Sequence, residues 1–291
     1  FIDNNMIMEH LNVSSFVIND HIIDNGIILP ESQNHLLFDI SESMFSDASE
    51  PCEYQYGMTG TFALMIGFAV GLPPLWNIDT GESGVGVFGL MDQGSNNGRG
   101  IIPAPPTAWS RIHAGWEAPF HGSFGDHIQL PKRSEGQIIK VPIRHDEYFL
   151  IENRDNSVRS NVSIDSIRYL MGQNSGEDSY PPYIEILQDS SGIEKDSNGV
   201  ANFIPNYDIG LPASGILIWH IDEKVISSSI DDYGINSDIL NLGIDLEEAD
   251  GAQDIGQPSI HLFNDPSSGY FGDMWFRGNK QYELANPGFN G

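Results

Sequence analysis

Gly60-Thr-Phe-Ala-Leu-Met-Ile-Gly-Phe-Ala-Val-Gly-Leu-Pro-Pro74 is the stretch on which the reading of the fold turns. From Gly60 to Val70 its spacing predicts a helix. Leu64 and Phe68 fall at i and i+4 on one face, and Phe62, Met65 and Ile66 cover the others. A helix that is apolar all round is expected to be buried. Gly71 supplies a stop and Pro73-Pro74 prevents continuation. The uncharged run from Tyr54 to Ile78 is not a membrane span. It is broken by Gly57, Gly60, Gly67, Gly71, Pro73 and Pro74, and its continuously apolar part, Phe62 to Val70, falls far short of the ~20 residues a bilayer requires.

Upstream, Ile27-Ile-Leu29 before Pro30 reads as a short buried strand. Downstream, Gly81 to Gly100 reads as loop and tight turn around Phe88-Gly-Leu-Met-Asp-Gln-Gly-Ser95, and a short helix carrying Trp109 and Ile112 is expected after Pro105-Pro106. From about residue 119 the pattern changes to strands: Ile138 to Ile143, Glu147 to Glu152 and Gly215 to Asp222, separated by polar, turn-rich segments. Residues 172–202 read as an acidic loop region.

Composition narrows the function classes. The 291 residues carry 41 acidic and 13 basic side chains, a formal net charge of −28, which disfavours phosphate backbones and anionic membranes and favours cations, calcium first. A solvated acidic surface suited to high salt is the competing explanation of that charge. Hydrophobic residues make up 40% of the chain, enough for a packed core. Cys52 is the single cysteine, so no disulfide forms within the chain. The chain opens at Phe1 rather than Met and reads as an excerpt of a longer product.

Zinc proteases place His-Glu-x-x-His on a helix, with both histidines on one face and the glutamate as base for the attacking water. The segment Gly71-Leu-Pro-Pro-Leu-Trp-Asn77, then Gly84-Val-Gly-Val-Phe-Gly-Leu-Met-Asp92, Pro103-Ala-Pro-Pro-Thr-Ala-Trp109 and Gly115-Trp116 follow one another in an order that resembles the secreted M6 (immune inhibitor A-like) metalloproteases. Glu147 to Arg154, Leu217 to Glu223 and Gly243 to Gly251 are similar to the part that follows the catalytic region in that family, and Gly26 to Glu31 is compatible with it. The resemblance covers roughly residue 20 to the end. It implies an α+β fold, with a degenerate zincin-like (metzincin-like) portion over 1–118 and a β-rich portion over 119–291.

The same resemblance marks what has been replaced. Leu64 and Phe68 stand at the positions of the two zinc-binding histidines, Met65 at that of the catalytic glutamate, and Pro74 at that of the acidic residue after Gly-Leu-Pro. None of these side chains serves as a zinc ligand or general base here, so no zinc is expected at the family site. Met91 occupies the methionine-turn position and is expected to be a core residue. The resemblance therefore implies a secreted or cell-surface, catalytically inactive homologue acting as a binding or structural module, with a protein or extracellular-matrix partner or self-assembly as its interactions.

Other residues offer alternatives. His121 and His127 flank a glycine-containing loop and are the candidates if an active enzyme uses displaced zinc ligands. Asp245, Glu247, Glu248, Asp250 and Asp254 cluster around Gly251 and suit calcium, without the spacing of an EF-hand. Asp196, Asn198 and Asp208 form a weaker second cluster. A calcium-dependent surface or filament protein is the reading that follows if such sites bridge molecules. His220 and Asp222 share one face of an expected strand, which points to a hydrogen-bonded structural pair. No Gly-x-Ser-x-Gly elbow and no phosphate-binding P-loop lysine occur.

Overall fold

A computed structural model describes residues 16–18, 21–23, 58–97, 100, 102–132, 137–157, 194–195, 197, 201–203, 206–258 and 266–288. The architecture is α+β: one five-stranded sheet with short helices and 3-10 turns packed against it. The strand expected at Ile27 to Leu29 lies outside the described residues. A small hairpin, β1 (Phe16–Ile18) with β2 (His21–Ile23), precedes it in the chain.

The sheet contains β3 (Phe120–His121), β4 (Ile139–Arg144), β5 (Glu147–Arg154), β8 (Gly215–Asp222) and β9 (Ile244–Leu246), in that spatial order. Only the β3–β4 pairing is parallel. Two short strands, β6 (Glu194–Lys195) and β7 (Ala201–Phe203), pair separately. Alternation sets the register. On β5 every second residue is buried (Tyr148, Leu150, Glu152, Arg154), and on β8 the buried set is Leu217, Trp219 and Ile221. Leu150 lies opposite Trp219, and Trp219 opposite Leu246, so the largest core side chains meet on one face.

The decisive helix, α1, runs Met58–Ala69. Its end is a Schellman motif: Leu72 N donates to Gly67 O at 2.9 Å, Gly71 N donates to Phe68 O at 3.0 Å, and Gly71 takes φ +91°. The expectation of a fully buried helix is corrected. Phe62, Ile66 and Val70 are exposed at 38%, 51% and 53%, and Leu64, Met65 and Phe68 are half-buried. The contact stripe runs through two glycines. A Cβ on Gly60 would sit 1.8 Å from Ser95 O, and one on Gly67 would sit 2.5 Å from Met91 Sδ. Close approach along the Gly60–Gly67 face, not hydrophobicity around the whole circumference, seats this helix. No helix among the described residues is long and apolar enough to cross a membrane.

The glycine-rich loop after α1 is organised by one buried carboxylate. Asp92 Oδ2 accepts from the backbone N–H groups of Gly84, Val85 and Gly86 at 2.7–2.8 Å, and Oδ1 accepts from Gln93 N. The short helix after the prolines, α2 (Ala108–His113), is capped by Thr107, whose Oγ1 accepts from Ser110 N. Its Trp109 stacks on His113 with centroids 4.6 Å apart.

Candidate metal centre

At the positions that the M6 resemblance assigns to zinc, the structure presents apolar contacts. Phe68 meets Trp76 edge-on at 5.9 Å, Leu64 and Phe68 pack against the main core, and Pro74 is buried. Met91 is 0% exposed beneath α1. His121 and His127 are exposed, and neither joins a group of three or more potential metal ligands among the described residues.

His220 and Asp222 do not pair with each other. His220 Nε2 lies 2.8 Å from Glu147 Oε1, because antiparallel β5 brings Glu147 alongside. Asp222 instead caps α3 (Glu223–Ser229), its Oδ1 accepting from Lys224 N at 2.9 Å and Val225 N at 3.2 Å. Asp196 and Asn198 lie outside the described residues. Asp208 is an ion-pair partner: its Oδ1 accepts from Arg154 Nη2 and its Oδ2 from Asp155 N.

The acidic stretch around Gly251 divides in two. Asp245 is on β9 in register with His220, and its side chain is reached by Gln253 Nε2 at 3.4 Å. Burial and the nearby Glu247 push its carboxyl up to about 6. Glu247 is half-buried, and its carbonyl accepts from Trp275 Nε1 at 2.8 Å. Neither side chain joins the cluster. Strand alternation turns Asp245 and Glu247 away from the face of Leu246 and Glu248. Of the five acids expected to suit calcium, Asp245 and Glu247 thus lie outside the group of three that the fold brings together.

Glu248 and Asp250 do come together, and the third member is Asp273, from a segment the sequence reading did not include. One ligand oxygen from each lies within 4.8 Å of the other two. Glu248 is 4% exposed and Asp273 is 0% exposed. Each is fixed by its own turn. Glu248 Oε2 and Oε1 accept from Asp254 N and Ile255 N, both at 3.0 Å, while Gln253 at φ +48° bends the loop so that its Oε1 accepts from Glu248 N. Asp250 Oδ1 accepts from Ala252 N, and Oδ2 from the Tyr270 hydroxyl at 2.6 Å. Asp273 Oδ2 accepts from Tyr270 N at 2.8 Å. The other oxygen, Asp273 Oδ1, is buried and has no hydrogen-bond partner.

The electrostatics follow from this crowding. Burial pushes Glu248 up to about 7, with Asp254 and Asp250 adding to the rise. Burial pushes Asp273 up to about 8, with Glu248, Asp250 and Asp254 adding to it. Asp254 is therefore a neighbour of the cluster, on its border. Glu248, Asp250 and Asp273 form no ion pair with a basic side chain among the described residues. An all-oxygen donor set of carboxylates suits a hard divalent cation.

Asp273 could not be found from local spacing, because it lies outside the 245–254 cluster. Its signal was only that an Asp follows Gly272 in an apolar stretch. No protein family, no curated protein and no solved structure matches the chain.

Proposed function

We propose that this chain is a non-catalytic extracellular module that holds a divalent cation, calcium, at Glu248, Asp250 and Asp273, on an M6-protease-like frame with a zincin-like portion to about residue 118. The observation that carries this reading is the buried carboxylate group itself. Two nearly fully buried acids and a third beside them bring ligand oxygens within 4.8 Å of one another with no basic partner among the described residues, and one buried oxygen of Asp273 lacks a hydrogen bond. Buried like charges of this kind are expensive unless a counter-charge enters. A divalent cation supplies it.

The non-catalytic part rests on Leu64, Met65, Phe68 and Pro74. At the positions where the resemblance requires two histidines, a glutamate and an acid, these side chains offer neither zinc ligands nor a base. The acidic balance of the whole chain, −28, agrees with a cation-rich extracellular setting.

Elemental analysis and terbium luminescence on the purified chain test the proposal. Stoichiometric calcium or terbium, with binding lost in Asp273→Asn, is the expected result. Absence of binding removes the cation reading. Stoichiometric zinc together with chelator-sensitive cleavage of casein removes the non-catalytic one.

A further inference from the structure

We infer that the calcium ion held by Glu248, Asp250 and Asp273 is a latch that fastens the C-terminal segment 266–288 to the edge of the sheet. This inference rests on the cation reading above and adds a consequence to it.

The ligands come from two separate stretches of chain. Glu248 and Asp250 belong to the loop that leaves β9, the edge strand of the sheet. Asp273 belongs to the 3-10 turn Phe271–Asp273. That turn lies within a segment whose remaining contacts span the molecule. Ile216 on β8 and Trp275 form an antiparallel bridge, with N–H···O distances of 2.8 and 3.0 Å in the two directions. Met274 is 0% exposed in the main core. Asn279 Nδ2 donates to Gly272 O and Met274 O and thereby holds the start of α4 (Lys280–Ala285). Farther back, Gly86 approaches Ser268 so closely that a Cβ there would lie 2.2 Å from its carbonyl oxygen. The segment thus touches the sheet, the core and the Asp92-organised loop.

Against these attractions stands the cluster itself. Docking the segment carries Asp273 up to Glu248 and Asp250, crowding three acids together with Glu248 and Asp273 buried and Asp250 half-buried. The hydrogen bonds that join the two stretches include the Tyr270 hydroxyl on Asp250, Ala249 N donating to Asp273 O at 2.9 Å, Trp275 Nε1 donating to Glu247 O at 2.8 Å and Gly256 N donating to Ser267 O at 2.8 Å. None of these neutralises charge. A cation bonded at about 2.3–2.6 Å to each oxygen bridges ligand atoms spaced as these are, and a calcium ion accepts the six to eight oxygens that carboxylates and carbonyls offer. The unpartnered Asp273 Oδ1 supplies the bond across the two stretches. Because the ion binds only where both stretches are in place, its binding free energy is docking free energy.

Limited trypsin digestion of the whole chain tests the latch, with mass spectrometry following new C-termini at Arg277 and Lys280, both exposed within the segment. Digestion is run in calcium and in chelator, and terbium luminescence, sensitised by Tyr270 beside the site, reports occupancy independently. The expected result is cleavage at these two positions at least about tenfold slower in calcium, following the local-opening equilibrium. Asp273→Asn and Glu248→Gln abolish the calcium effect, and Asp245→Asn retains it. Terbium binding with cleavage unaffected by calcium overturns the latch and leaves the cation site standing. No terbium binding overturns the site and the latch together. The wild-type comparison alone decides the matter if a variant does not fold.

Discussion

Two groups of buried carboxylates in this molecule solve the same problem in opposite ways. In the first, Glu152 is 1% exposed on β5 and is surrounded by donors: Arg111 Nη2 at 2.6 Å, Arg154 Nη1 at 2.9 Å and Trp219 Nε1 at 2.9 Å. Arg154 also reaches Asp208, and Arg111 reaches Glu117. Burial raises the Glu152 carboxyl, but the Arg111 and Arg154 guanidiniums outweigh it and hold the group down at about 2. In the second, Glu248 and Asp273 are also buried but accept only from backbone N–H groups, with no guanidinium, and they sit at about 7 and about 8. The difference teaches that burial alone does not decide the state of an acid. Where the chain supplies the counter-charge, the acid is ionised and structural. Where it does not, burial and neighbouring acids raise the carboxyl, and the proposed cation is the counter-charge the chain leaves out.

The largest effect is expected where that fixed compensation is removed. Glu152→Gln leaves Arg111 and Arg154 facing a neutral partner in the core and costs about 3–5 kcal/mol, the range for breaking a buried pair. Chemical denaturation of the folded variant, or its failure to accumulate, measures this.

Acid acts on the same group more gently. The folded Glu152 carboxyl lies at about 2 against an ordinary 4.5, so its stabilising contribution is present above 4.5 and is lost as pH falls through 2. The loss is on the order of 3 kcal/mol. Denaturation midpoints between pH 6 and pH 2 follow it, and the slope disappears in Glu152→Gln if that variant folds.

At the second group, calcium at one hundred times its dissociation constant stabilises the wild type by about 2.7 kcal/mol. Asp273→Asn removes this response. In chelator the same variant is expected to match or exceed the wild type, because an acid buried beside Glu248 and Asp250 is replaced by a group that never ionises. The two groups thus respond with opposite signs to loss of a carboxylate, and thermal melts with and without calcium read the contrast directly. The smallest effect is expected for Asp245→Asn, which lies outside the cluster. Its calcium response stays that of the wild type and its stability changes by no more than about 0.5 kcal/mol.

Local pattern made much of the fold legible. Gly215 to Asp222 is a strand with the bounds expected, because its alternation is two-sided and its neighbours β5 and β9 carry matching patterns. The stop at Gly71 was legible because φ +91° suits glycine alone. The burial of α1 was not legible. Apolar residues on every side hid the fact that the packed stripe is Gly60–Gly67, chosen for closeness to Ser95 and Met91 rather than for hydrophobic area. Likewise, the partnership of His220 depended on which strand lay beside it: antiparallel β5 sets Glu147 opposite Asp222, diagonally across from His220 and within reach of its ring.

The candidate metal centre divides along the same line. The sequence by itself determined that a dense acidic stretch surrounds Gly251 and that two of its members, Glu248 and Asp250, stand two residues apart with a glycine after them. It also determined that Leu64, Met65 and Phe68 on α1, and Pro74 after it, are apolar side chains. Only the tertiary structure decided which acids face one another. The pleat of β9 turned Asp245 and Glu247 away, and the Ile216–Trp275 bridge carried Asp273 in from a distant segment. The physical reason is that a carboxylate's chemistry depends on the charges within a few ångströms of it, and those distances are set by long-range pairing that no local spacing encodes.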